Sequence, residues 1–167
     1  MATDLILRHA TFPSPVGPFT VVASGEGVLA TTSGEPARLL EALERRLEVR
    51  SRPAALRAAG RDLRAYFLGR GHALRTPVDL RLATTPFARA VLGVVAAIPY
   101  AEMWTYGDVA GAAGRPRAGR AVGTVLSRSP IELFVPCHRV VPAGPGLGSY
   151  GGNDERRAFL LRLERAI

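Results

Sequence analysis

In the first third of the chain the apolar positions fall in short runs broken by turn residues. Pro13, Pro15, Gly17 and Pro18 punctuate a turn, and the β-rich run Phe19–Ala23 follows. Gly25 and Gly27 then allow a tight turn, so Val28–Thr32 is expected to return as the second strand of a hairpin. Beyond it the apolar period lengthens. Over residues 35–49, Leu39, Leu40, Leu43 and Leu47 form one helical stripe, with Pro36 suited to a first helical position. Residues 56–68 repeat the pattern with Leu56, Leu63, Tyr66 and Phe67, and Gly69 is placed to stop that helix. Residues 76–82 read as an extended linker between two halves.

The second half is patterned as helices. Thr85 is a good N-cap with Pro86 behind it, and Phe87, Val91, Val94, Val95 and Ile98 share one helical face that Pro99 ends. Two short helices are expected at 105–113 and 117–127, the first capped by Thr105 and closed by Gly114 and Pro116. Joined by a glycine-containing turn, they make a helix-turn-helix candidate. A last helix is expected over 154–167, with Asp154 and Glu155 at its positive end and Phe159, Leu160 and Leu163 packing inward.

Composition narrows the function. The chain has 167 residues and one cysteine, which excludes an intrachain disulfide, a zinc finger and an iron–sulfur cluster. The net charge is +8, and all 22 basic residues are arginine. A pI near 11.1 points to a polyanionic partner, nucleic acid first; a GC-rich genome is the other source of arginine in place of lysine. Arg115, Arg117, Arg120 and Arg128 occur with no acid between Val109 and Ile131, which marks the helix pair as the nucleic-acid face, against the alternative of a solvated helix face. No apolar stretch approaches the roughly 20 residues of a membrane span. The first ten residues lack a charged lead and apolar core, so a cytoplasmic location is expected, where a lone thiol stays reduced.

That thiol has company. Residues 130–142 read Pro-Ile-Glu-Leu-Phe-Val-Pro-Cys-His-Arg-Val-Val-Pro. Pro136 blocks regular structure there, so Cys137 is expected to leave the end of a strand at 133–135. A thiol of pKa near 8.5 is only a few per cent thiolate at neutral pH, and an adjacent imidazole raises that fraction by taking the proton. The bland alternative is a buried structural cysteine beside a surface histidine. On the last helix Glu164 stands one turn after Leu160, and a carboxylate beside an apolar stripe needs a partner. His138 would suit it, since a carboxylate on one ring nitrogen leaves the other as a base; a salt bridge to Arg157 or Arg162 fits the spacing equally well.

The run Pro136-Cys137-His138-Arg139-Val140 resembles the active-site motif of the O6-alkylguanine-DNA alkyltransferases, the methylated-DNA–protein-cysteine methyltransferases. Thr85-Pro86-Phe87, Ile98-Pro99-Tyr100, Tyr106-Gly107-Asp108-Val109-Ala110, Arg120-Ala121-Val122-Gly123 and Gly148-Ser149-Tyr150-Gly151-Gly152 follow the family's order and spacing. The likeness is dense from Thr85 to Glu164. It is looser before that, where Ser14-Pro15-Val16-Gly17 and Tyr66-Phe67 still fit. The resemblance implies an α/β (α+β) chain. A small antiparallel sheet with helices, ribonuclease-H-like, would occupy residues 1–81, and a mainly helical domain with a winged helix-turn-helix residues 82–167.

It also implies roles. Cys137 would accept the alkyl group from guanine O6 in a single-turnover displacement, with His138 the base acting through a water and Glu164 its orienter. Arg120 would be the finger filling the gap left by a flipped nucleotide, and Tyr106 the hydroxyl contacting the guanine. The carbonyls of Cys137 and Val140 would accept from the exocyclic amine, Tyr150 would line the pocket, and the Gly151 amide would point at O6. Arg115, Arg117 and Arg128 would contact DNA. The partner implied is duplex DNA carrying O6-alkylguanine, bound by a monomer, with no metal and no organic cofactor. Three features depart from the pattern. Ser129-Pro130 stands where many members have an Asn-Pro hinge, and Gly151 where some have serine, which opens the pocket to larger adducts. Only His9 and His72 lie outside the motif, too few for the N-terminal zinc site of some relatives. Two other classes remain open: a lesion-binding module that transfers nothing, and a helix-turn-helix transcription factor.

Overall fold

Five consecutive buried residues make β2 (Phe19–Ala23), a strand covered on both faces, which is why its sequence is nearly all apolar rather than alternating. It lies inside a four-stranded sheet of order β3-β2-β1-β4, with β1 spanning Ile6–Phe12, β3 Val28–Thr32 and β4 Arg50–Pro53. The structure, a computed structural model, describes residues 5–70 and 74–167; His72 lies outside them. The hairpin forms as expected, β2 pairing antiparallel with both β1 and β3. The sheet is mixed rather than wholly antiparallel, because β4 joins β1 in parallel. Helix α1 (Pro36–Leu47) follows the expected stripe; α2 (Arg57–Phe67) buries Leu63 and Tyr66 as expected, with Ala59, while Leu56 lies just before the helix with a left-handed backbone (φ 41°) and Phe67 is half-buried. Leu43 of α1 joins Leu7, Val22, Leu29, Ala30 and Leu82 in one core.

Two further segments belong to this first unit, residues 74–82 and 130–134. The first is extended, as expected, but it is docked. The Val28 amide donates to the Pro77 carbonyl and the Asp79 amide to the Val28 carbonyl, both at 2.8 Å. Buried Asp79 accepts from Ser24 Oγ at 2.5 Å and from Arg81 Nε at 2.6 Å. Residues 130–134 are anchored on β3: the Thr31 amide donates to the Pro130 carbonyl, and Thr31 Oγ1 accepts from the Glu132 amide, each at 2.8 Å.

The second unit comprises residues 83–129 and 135–167. Thr85 caps α3 (Pro86–Ala96) by accepting from the Ala88 amide at 3.1 Å. Thr105 and Asp108 form a reciprocal capping box at the start of α4 (Tyr106–Ala112). The next helix, α5 (Gly119–Ser127), starts two residues later than the pattern predicts, because Arg115–Ala118 is spent on a turn closed by the Ala118 amide to the Arg115 carbonyl. Strands β5 (Trp104–Thr105) and β6 (Val140–Val141) pair in parallel.

Two expectations need correction. Residues 133–135 are buried but are not a strand: Leu133 takes a left-handed backbone (φ 64°), which no strand accommodates, and Cys137–Arg139 forms a 3₁₀ turn instead. The last helix, α6 (Asp154–Leu163), stops four residues before the chain end, with Arg165 left-handed at φ 60°. Its inward face is Arg157, Leu160, Leu161 and Glu164; Phe159 is exposed at 37% and Leu163 is only half-buried. Charged residues occupy the core face, so an apolar count alone misplaces it.

The linker's seat depends on Gly27, whose φ is +155° and at which a Cβ would lie 2.3 Å from the Pro77 carbonyl oxygen. Gly27→Ala should cost about 2–3 kcal/mol in urea denaturation. Gly25→Ala, with open space around it, should stay within about 0.5 kcal/mol of the parent. Equal midpoints for the two variants would mean the linker is not seated through Gly27.

Candidate active site

The motif Pro136–Arg139 folds as a single tight turn because proline at its head fixes φ and ends the preceding chain. The Arg139 amide donates to the Pro136 carbonyl at 2.9 Å, and the Val140 amide to the Cys137 carbonyl. From there the chain enters β6, where Val140 stands opposite Trp104. Cys137 is 5% exposed and His138 1%, so the thiol and the imidazole are both inside the protein. The histidine is not at the surface.

Glu164 meets this turn. Its carboxylate is 1% exposed. Oε1 accepts from His138 Nε2 at 2.7 Å and from Arg139 Nη2 at 2.9 Å; Oε2 accepts from Arg139 Nε at 2.9 Å and from the Ala101 amide at 3.3 Å. Arg139 completes its fork by donating Nη1 to the Ile98 carbonyl at 2.7 Å. Neither Arg157 nor Arg162 is the partner. Arg157 instead reaches the Leu147 carbonyl and lies 4.5 Å over the Tyr150 ring.

A buried charge pair of this kind holds only when every donor and acceptor is placed. The bidentate Arg139 fork keeps Glu164 ionised, so the proton on the shared His138–Glu164 bond sits on Nε2. That leaves Nδ1 as the basic nitrogen. Burial pushes the imidazole below the usual histidine range; the Glu164 hydrogen bond and charge oppose this, and the Arg139 and Arg157 charges add to it. His138 is therefore neutral at pH 7, the form able to accept a proton. Tyr100, whose phenol is raised by burial and by the Glu164 charge, packs under Arg139 at 5.7 Å.

The other anticipated residues fall in two groups. Tyr106 opens α4 and lies against α5: a Cβ added at Gly119 or Gly123 would come within 3.7 Å of its side chain. Arg117, Arg120 and Arg128 are exposed and form no ion pair among the described residues, while Arg115 lies 4.8 Å over the Phe87 ring. Ser129 is the last residue before the chain enters the first unit at Pro130. Tyr150 and Gly151 lie in the loop before α6. The Tyr150 amide donates to Asp154 Oδ1 at 2.5 Å, and Gly151 has φ 55° with nothing within 4 Å of a built Cβ. Val140 is buried beside Cys137 and Val141.

Sequence reasoning missed three participants. Arg139 was in view within the motif, and a fixed charge inside the apolar run 133–141 is a signal that a carboxylate waits for it. Ala101, left-handed at φ 64°, aims its amide at Glu164 and carries no sequence mark. Thr31, which ties the segment leading to Cys137, lies over a hundred residues away.

Comparison with known proteins bears on this arrangement. The family described as "6-O-methylguanine DNA methyltransferase, DNA binding domain" matches residues 86–166, and "6-O-methylguanine DNA methyltransferase, ribonuclease-like domain" matches residues 7–80. A methylated-DNA--protein-cysteine methyltransferase of Methanosarcina acetivorans is 35% identical over 160 residues, covering 95% of this chain and 98% of that protein. The Mycobacterium tuberculosis protein of the same description is 36% identical over 163 residues, covering 96% and 94%. The crystal structure of Mycobacterium tuberculosis OGT in complex with DNA superposes with a TM-score of 0.79 at 34% identity, covering 95% of this chain and 93% of that one.

The buried imidazole makes stability depend on pH. The folded protein keeps His138 neutral where the unfolded chain, with a histidine pKa near 6.5, takes up a proton. Below that pH the unfolded state binds more protons, so stability falls as pH falls. Urea denaturation should show a loss of up to about 1 kcal/mol from pH 7 to pH 5.5, the full amount if the folded protein takes up no proton there. His138→Gln should lose distinctly less over that interval, and an unchanged slope would remove His138 as the cause.

Proposed function

We propose a role for each residue of this site on one premise: the chain belongs to the 6-O-methylguanine DNA methyltransferase family. The protein reverses O6-alkylguanine damage in duplex DNA by transferring the alkyl group to its own Cys137, once per molecule. The observation that carries the mechanism is that His138 and Arg139, in the same turn as the thiol, both meet the buried Glu164 carboxylate.

The target carbon lies inside the base stack and Cys137 lies inside the protein, so the nucleotide rotates out to meet it, at a cost of a few kcal/mol. Arg120 enters the stack in its place; a planar guanidinium both stacks and hydrogen-bonds there. Tyr106 contacts the guanine, Tyr150 lines the pocket, and the Cys137 and Val140 carbonyls accept from the exocyclic amine. Arg115, Arg117 and Arg128 bind the backbone. Ser129 is the hinge between the recognition helix and the active-site segment. His138 takes the thiol proton through a water at Nδ1, with Glu164 fixing the tautomer. The thiolate attacks the alkyl carbon, the S–C bond forms as the C–O6 bond breaks, and the electron pair moves to O6. A hydrogen bond from the Gly151 amide meets the charge as it develops. The guanine anion so released takes a proton at a ring nitrogen, equal to the one the thiol gave up to His138, and the products are S-alkylcysteine and guanine.

In this reading residues 82–167 carry the DNA contacts and the thiol, and residues 1–81 form the supporting domain. No helix among the described residues is long and apolar enough to cross a membrane. We place the protein in the cytoplasm, where the acceptor thiol stays reduced. Relatives with this description are transferases, and Cys137 is present, so neither a non-transferring module nor a transcription factor is favoured.

Incubation with duplex carrying O6-methylguanine should add one methylene to the peptide holding Cys137, read by mass spectrometry. Cys137→Ser should add nothing and still bind the duplex; alkylation surviving that change would refute the acceptor. Arg120→Ala should slow duplex repair by about tenfold or more, as loss of a few kcal/mol of flipping assistance implies, and leave transfer from free O6-benzylguanine nearly unchanged. Equal losses on both substrates would remove Arg120 from the stack.

A further inference from the structure

One side of the first unit carries arginines that take no part in the site and, among the described residues, form no close ion pair. Strands β1 and β4 run parallel with Arg8 and Arg52 as directly opposed partners and Arg50 opposite Ile6. Leu7 points into the core, so Ile6 and Arg8 stand on the other sheet face, and Arg8, Arg50 and Arg52 are all exposed. Like charges directly opposed across a strand pair repel. The same face carries Phe12, and Gly60 of α2 sits so close to it that a Cβ would lie 2.8 Å from the ring. Helix α2 therefore packs on this face. It turns Ala59, Leu63 and Tyr66 inward, and Arg57, Arg61 and Arg64, at positions i, i+4 and i+7, form the opposite stripe, all exposed.

Among the described residues none of these six guanidinium groups has a carboxylate within 4.0 Å. Exposed Glu48, just before Arg50 in the chain, forms no ion pair with any of them, and Glu44 and Asp62 hold other donors. Glu44 accepts from the Ser51 amide at 2.7 Å and from Ser51 Oγ at 2.5 Å. Asp62 accepts from the Arg75 amide at 2.9 Å and from the Thr76 amide and Oγ1 at 2.6 Å each. The α2 stripe runs about 10 Å along the helix, the length over which one DNA strand presents about three phosphates.

We propose that this side of the first unit is a second, sequence-independent binding surface for the phosphate backbone of duplex DNA, additional to the arginines of α5 and its flanks. The idea rests on the DNA-repair reading above. Arginine forks suit phosphate oxygens, and the stripe lacks the interleaved aromatic residues that bases of a single strand would stack on.

Two variants of the full chain test it, Arg57→Gln/Arg61→Gln/Arg64→Gln and Arg8→Gln/Arg50→Gln/Arg52→Gln. Affinity for undamaged duplex is measured over a salt series. Each triple change should make the slope of log K against log salt shallower by about 0.9 for every phosphate that is no longer neutralised, so by about two to three if all three arginines bind. Transfer from free O6-benzylguanine, which needs no backbone contact, reports that the thiol site is intact. Unchanged slopes in both variants would overturn the proposal. Arg117→Gln/Arg120→Gln/Arg128→Gln separates the cases: if it alone flattens the slope, DNA binding stands and the second surface falls. If none of the three variants alters the slope, the DNA reading falls with it. Loss of binding to anionic vesicles with an unaltered DNA slope would reassign the surface to lipid and overturn it equally.

Discussion

A carboxylate sealed from water at the end of a helix is in a poor place twice over. It loses its hydration, and it faces the negative end of the helix dipole. Glu164 is in that place, at the C-cap of α6. What makes it tenable is the Arg139 fork, two charge-assisted bonds at 2.9 Å, with the Ala101 amide and His138 taking the remaining positions. Those four donors come from two separate stretches of chain. Satisfying one carboxylate therefore brings residues 98–101, the 3₁₀ turn and the end of α6 to one point. The state of the histidine follows from the same fact. Its proton is claimed by Glu164, its charge is disfavoured by burial and by two arginines, and it is left as a neutral acceptor next to the thiol in sequence.

The chain reaches the thiol by way of the first unit. It leaves α5, gives residues 130–134 to the sheet domain and only then returns with Val135 to make the turn. Thr31 holds that excursion by one backbone and one side-chain bond, and Ile131, Leu133 and Phe134 are buried along it. The left-handed backbone at Leu133 is a local strain of the kind that persists only where surrounding contacts over-determine it.

Legibility in the sequence tracked how local each determinant is. Thr85, Thr105 and Pro36 announced their helices because capping is decided within four residues. The hairpin was equally plain, since two apolar runs flank a glycine turn. Strand β4, Arg-Ser-Arg-Pro, offers no run of apolar side chains; it is a strand only because β1 offers it an edge, and proline is tolerated there. The inner face of α6 was misjudged for a related reason. Arg157 and Glu164 are buried by partners that lie 10 and 25–26 residues away, and nothing in helical periodicity distinguishes a paired core charge from a solvated one. The candidate motif was readable as chemistry, Cys beside His, but its third member needed either the fold or a family resemblance.

The arginine content illustrates where composition stops deciding. Codon bias and a polyanionic partner both yield a chain with no lysine. Position separates them. At 139 the side chain makes two parallel bonds to one carboxylate and a third to a carbonyl, and at 157 it stacks on an aromatic ring while donating to a loop. An ammonium point charge performs neither task, so arginine is required there whatever the genome prefers. On the exposed faces lysine would serve for solubility. There the case for arginine rests on a ligand that rewards a planar fork, and phosphate does. Arginines without a carboxylate partner, set in register across a sheet edge and along a helix, therefore say more about a partner than the total of 22 does.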